Sequence, residues 1–181
     1  MGSVTALRSL VLPLALAAQG CAPLLDVQAG YAGSTSPRAG RHGGSVQTGL
    51  SFGMCDGSLL GGSRCAPVAV GGGALLRGRF TRDIQQVSLV PHAFVIANAD
   101  GGTASVRAYA RGGVSLVHLG VVDGTFAGGL GSPSAELGVV LPLGRAKTHL
   151  VLSGFAEYDV RLSRQPNEGF FGVSAGVGFV D

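Results

Sequence analysis

The stretch from Thr103 to Leu119, TASVRAYARGGVSLVHL, decides the fold. Its even positions are Ala104, Val106, Ala108, Ala110, Gly112, Val114 and Leu116, and its odd positions include Ser105, Arg107, Tyr109, Arg111, Gly113 and Ser115. A period of two sends successive side chains to opposite faces of a strand. One face is therefore apolar and the other carries two arginines.

The same alternation recurs on both sides of that stretch. Lys147 to Ser163 sets Leu150, Leu152, Gly154, Ala156, Tyr158, Val160 and Leu162 against His149, Ser153, Glu157, Asp159 and Arg161. Gly169 to Val180 opposes Phe171, Val173, Ala175, Val177 and Phe179 to Gly172, Ser174, Gly176 and Gly178. Ser134 to Leu143 and Ser45 to Met54 show it again. Val68 to Thr81 is weaker, and in Ile84 to Ala97 the apolar Val90, Phe94 and Ile96 blur the contrast. Val27, Ala29 and Tyr31 mark a short first strand. The sequence predicts eight strands and, after residue 20, no helix. Gly120 to Ser132 reads as a glycine-rich connection. Asn98 to Gly102 and Leu143 to Lys147 read as turns.

Composition agrees with sheet in an apolar setting. Glycine supplies 32 of 181 residues, hydrophobic residues 46% and charged residues only 13%. So much glycine disfavours helix, at about 1 kcal/mol per position. The net charge of +3 is scattered, and no basic run marks a nucleic-acid partner. Short links between antiparallel strands predict an all-β, eight-stranded antiparallel up-and-down barrel.

Such a barrel can close either way round. A soluble lipocalin-like barrel puts its apolar face around an apolar ligand, and this is the alternative reading. A membrane barrel puts that face outward against lipid. Three features favour the transmembrane form. Charge is scarce for a soluble surface, which usually carries about 25–35% charged residues. Several runs reach the roughly 9–11 residues that a tilted strand needs to span. Phe171 and Phe179 sit on one face, roughly 20 Å apart along the membrane normal, near the spacing of two aromatic girdles. Phe80 and Tyr158 then fall toward the outer side and Phe52 toward the inner. The polar face becomes an interior network in which Arg77, Arg79, Arg107, Arg111 and Arg161 balance Glu136, Glu157 and Asp159, because buried charges need partners. Pro91 stands against the barrel, since it withholds a ladder donor in mid-strand, and a bulge there would answer it.

The mature chain resembles the small eight-stranded outer-membrane barrels of the OmpA and OmpX kind. The ending Gly-Val-Gly-Phe-Val-Asp, residues 176–181, is similar to their closing strand, although that strand typically ends in an aromatic residue. The resemblance implies an outer-membrane location, contact with membrane lipid, and an envelope or surface protein as a candidate partner.

Residues 1–20 have a signal-peptide layout, with Arg8 ahead of the apolar run from Leu10 to Ala18, and residues 21–181 form the barrel domain. Ala18-Gln19-Gly20-Cys21 resembles a bacterial lipobox, which implies lipidation of Cys21. Ala15-Leu16-Ala17 offers ordinary cleavage instead. Cys55 and Cys65 lie in a loop-like stretch and are expected to pair as a disulfide in an exported protein. Cys21 is then the odd cysteine, and acylation gives it a use.

No catalytic, cofactor-binding or metal-binding set is expected. No G-x-S-x-G elbow occurs, and the glycine clusters lack the Lys-Ser/Thr of a phosphate loop. His149, Ser153 and Glu157 share a strand face at spacings of four, the nearest approach to a lipid-hydrolysing triad. Four strand residues span about 13 Å, too far for a Ser–His hydrogen bond.

Overall fold

The structure is a computed structural model and describes residues 21–36, 39–54, 67–97, 105–144, 147–162 and 166–180. Residues 1–20, expected above to be a signal peptide, and Cys55 and Cys65, expected to form a disulfide, lie outside the described residues. The strands are β1 (Cys21–Ser34), β2 (Gly43–Met54), β3 (Val68–Thr81), β4 (Ile84–Ala97), β5 (Arg107–Ser115), β6 (Val117–Val122), β7 (Thr125–Gly129), β8 (Ser132–Pro142), β9 (Thr148–Asp159) and β10 (Glu168–Val180). A 3-10 turn, Ala39–Arg41, lies between β1 and β2.

These ten segments make eight barrel strands. β5 and β6 both pair with β4 and are one strand interrupted at Leu116. β7 and β8 pair with β6 and β5 respectively and are one strand interrupted at Gly131. Every neighbouring pair is antiparallel, and β1 pairs with both β2 and β10. The sheet therefore closes into an eight-stranded up-and-down barrel, in which closure removes exposed edges.

Two expectations change, and one irregularity finds its cause. The first strand is not short: β1 runs for 14 residues, because pairing on both sides carries it beyond its clearest alternation. Gly120–Ser132 is not a loop. It contains the end of β6, a tight turn and β7. Asp123 (φ 51°) and Gly124 (φ 74°) both adopt positive φ, the requirement of a type I′ hairpin turn, for which Asp-Gly is a favoured pair. Alternation hid this hairpin because it changes phase at Leu116. Arg107, Tyr109 and Arg111 point inward before the interruption, and His118 and Val122 after it. The blur in β4 also has a cause. Phe94 and Ile96 are inward-facing core residues, not misplaced outer ones.

Pro91 sits where the ladder is already broken. The backbone N–H of Leu116 donates to the Leu89 carbonyl at 2.9 Å. Pro91, two residues on, presents the same backbone side to β5 and β6. Pairing of β4 passes from β6 at Leu89 to β5 at His92, so the missing donor falls in the gap. A bulge at the neighbouring strand thus accommodates the proline.

The barrel has two ends. Cys21 and Val180 lie at one, the terminal end. The connections there include the long one from Met54 to Val68, whereas at the far end Thr81 joins Ile84 and Val122 joins Thr125 by two-residue turns. The other far-end connections, Ser34 to Gly43 and Asp159 to Glu168, are longer.

Candidate functional site

Polarity is inverted relative to a soluble barrel. Outward positions carry exposed Leu, Val and Phe, among them Val173 at 63% and Leu137 at 69% exposure. The largest fully buried side chains are Arg77, Arg79 and Arg107.

Arginines from β3 and β5, joined by Arg161 just past β9, build the charged part of the lumen. Arg77 of β3 donates from Nη2 to Glu136 Oε2 at 2.8 Å, from Nη1 to Glu157 Oε2 at 3.1 Å, and from Nε to Gln47 Oε1 at 2.9 Å. Arg79 lies one inward position further along β3. It donates from Nη2 to Asp159 Oδ1 at 2.7 Å and to Glu157 Oε1 at 3.5 Å. Arg111 of β5 pairs with Asp26 of β1 and, at 3.1 Å, with Glu136 Oε1. Arg161 joins Glu168 at 3.0 Å and lies 3.8 Å from Asp159. The lattice therefore brings together Arg77, Arg79, Arg111, Arg161, Glu136, Glu157 and Asp159. Arg107 is buried at the start of β5.

The chemistry explains the residue choice. A carboxylate taken out of water needs charged donors on its remaining lone pairs. A planar guanidinium presents five donors and can serve two carboxylates at once. Its flat faces also find aromatic partners. The Arg77 and Arg79 guanidinium carbons each lie 4.0 Å from a ring centroid, of Phe155 and Phe170 respectively. Desolvated contacts of this kind contribute up to about 2 kcal/mol.

Sequence reasoning missed several members. Asp26 and Gln28 alternate with Val27 and Ala29, a signal that was available. Tyr109 donates to Glu136 Oε1 at 2.8 Å. Phe155 and Phe170 carry no sequence signal for this role, since an aromatic on a polar face looks like a break in the pattern. Around the far end Arg41 donates to Asp123 at 2.6 Å, and Ser34 bonds Glu168.

The lattice ends on an apolar plug. Leu24, Ala69, Phe94, Ile96, Tyr109, Val140, Val151 and Val180 form one buried cluster at the terminal end. A smaller cluster, Ile84, Val122, Ala127 and Phe170, lies toward the far end. Space is tight enough that a Cβ at Gly129 would sit 2.2 Å from the His118 ring. This glycine leaves room for the imidazole and for the Val160 carbonyl beside its strand.

The hydrolytic trio is committed elsewhere. Ser153 bonds Gln28 and Ser174 at 2.8 Å, Glu157 holds the two β3 arginines, and His149 Nδ1 contacts the Lys147 carbonyl oxygen at 2.9 Å. No group of three metal-ligating side chains occurs among the described residues. On the outer wall, Phe80, Tyr158 and Phe171 are exposed toward the far end and Phe179 toward the terminal end.

No protein-family model matches the chain, and no curated protein matches it. Among solved structures, the crystal structure of Neisserial surface protein A is similar, with a TM-score of 0.53 at 15% identity. The match covers 87% of this chain and 96% of that one. At that identity the likeness concerns the fold.

Proposed function

We propose that this protein is a β-barrel of a bacterial outer membrane with a structural or surface-interaction role and no catalytic activity. The observation that carries the reading is the reversal of polarity, with paired charges inside and a continuous apolar wall outside. A lipocalin-like carrier would require the opposite distribution, with an apolar lumen around its ligand. The fold shared with Neisserial surface protein A supports the same reading. A lumen closed by the ion lattice and the apolar plug favours a closed barrel over a conducting one.

Residues 1–20 are proposed to be the export signal, with Cys21 acylated at the start of β1. That anchor would sit directly at the membrane surface. Cys55 and Cys65 are proposed to pair on the terminal side. Membrane lipid is the proposed immediate partner, and an envelope or surface protein the second.

The test is heat-modifiability of the membrane fraction on a detergent gel, with and without boiling. A shift of the band on boiling is expected. Recovery of the protein in a carbonate wash, with no shift, would overturn the reading. The mass of the N-terminal peptide, with and without Cys21→Ala, reads the acyl group.

A further inference from the structure

The outer wall is not evenly covered. A groove of about 900 Å³ runs over β1, β10, β9, β8 and β5, within the size range of ligand sites, about 300–1,000 Å³. Its floor is made of small residues, Ala29, Ala175 and Gly154, and larger side chains, Leu137, Leu152 and Tyr31, stand around it. Ala175 lies midway between Phe171 and Phe179 along β10. The groove is therefore centred between the two aromatic levels, at the depth of acyl chains.

Its far-end margin carries a prepared polar group. Tyr31, which lines the groove, stacks on His42 with ring centroids 6.1 Å apart. The Tyr31 hydroxyl lies 2.6 Å from His42 Nδ1. Gly33 makes this possible, because a Cβ there would lie 2.6 Å from the Tyr31 oxygen and 2.8 Å from Nδ1. With the phenol as donor, Nδ1 accepts and the ring proton sits on Nε2. His42 is exposed, and its Nε2–H is a donor held at the membrane surface end of an apolar groove.

We propose that this groove binds one glycerophospholipid, with an acyl chain against Gly154 and Ala175 and the phosphate accepting from His42 Nε2. The inference rests on the membrane reading above. A second copy of the barrel is the competing occupant, since exposed Leu76, Phe80 and Leu89 stand elsewhere on the wall; a dimer without bound lipid in the native mass spectra would overturn the lipid.

The probes are phosphatidylglycerol with palmitoyl and oleoyl chains, and the diacylglycerol with the same chains. Binding to the full-length barrel in detergent is read by native mass spectrometry. Each variant is first shown to shift on boiling, which separates loss of the barrel from loss of lipid. Gly154→Leu fills the floor, where a Cβ meets only the Gly172 carbonyl at 3.7 Å. It is expected to weaken both probes about tenfold, the worth of about two buried methylenes. His42→Phe keeps the stack but removes the donor, and is expected to weaken phosphatidylglycerol alone. Gly112→Leu, on open wall with nothing within 4 Å, is expected to change neither. Equal losses in Gly112→Leu and Gly154→Leu, or wild-type binding in Gly154→Leu, would overturn the groove. Unchanged phosphatidylglycerol binding in His42→Phe would overturn the headgroup contact.

Discussion

The middle of the lumen and its terminal end are filled by different chemistry in the same narrow tube. The middle is an ion lattice, with Arg77 held between Glu136 and Glu157 and Arg111 between Asp26 and Glu136. The terminal end is a plug of Leu24, Phe94, Ile96, Val140 and Val151. Both exclude solvent. They differ in how they fail. A lattice of buried charges is held by pairing, so removing one partner strands another charge. A plug is held by shape and area, so its losses scale with the volume removed. The lattice should therefore be intolerant even of conservative exchange, and the plug tolerant.

The largest effect should come from Arg77→Met. It takes one cation from each of Glu136 and Glu157, leaving Glu136 to Arg111 and Glu157 to Arg79 at 3.5 Å, and a loss of about 4 kcal/mol is expected, read as the urea midpoint of the gel-shifted form. A loss below about 1 kcal/mol would mean that the carboxylates are hydrated, and the lattice would not be the dry structure described. Ile96→Ala should follow at about 3 kcal/mol, the usual cost of a buried cavity. The conservative pair then sharpens the contrast. Arg77→Lys keeps the charge but loses the fork, and should still cost about 2 kcal/mol. Ile96→Leu keeps the volume and should cost about 1 kcal/mol or less. Equal penalties for these two exchanges would erase the distinction between the regions.

The same contrast explains what the sequence made legible. Where the lumen is charged, alternation is sharp, and β5 and β9 could be assigned with their inward arginines and carboxylates, whereas Gly71, Gly72 and Gly73 weaken it in the first half of β3. Where the lumen is apolar, both faces of a strand look alike. That is why Phe94 and Ile96 blurred β4 and why the terminal stretch of β1 was not seen. The phase change at Leu116 hid the β6–β7 hairpin, although Val122-Asp123-Gly124-Thr125 carried a turn signal. The aromatic seats of Arg77 and Arg79 depend on which strands meet across the tube, and no local pattern records that. The Tyr31–His42 pair was equally out of view, since it depends on Gly33 leaving room across two strands.

The central claim is that the alternating apolar face looks into lipid. Spin labels at single cysteines along β10, from Phe171→Cys to Phe179→Cys in a background free of the native cysteines, test it directly. The variants are reconstituted in phospholipid vesicles, and oxygen and a water-soluble nickel complex serve as relaxants. The account predicts a period of two. Positions 171, 173, 175, 177 and 179 should be oxygen-accessible, with the greatest excess of oxygen over nickel at 175, and the even positions should be shielded from both. Nickel access at 173 and 175, or oxygen access at the even positions, would contradict it.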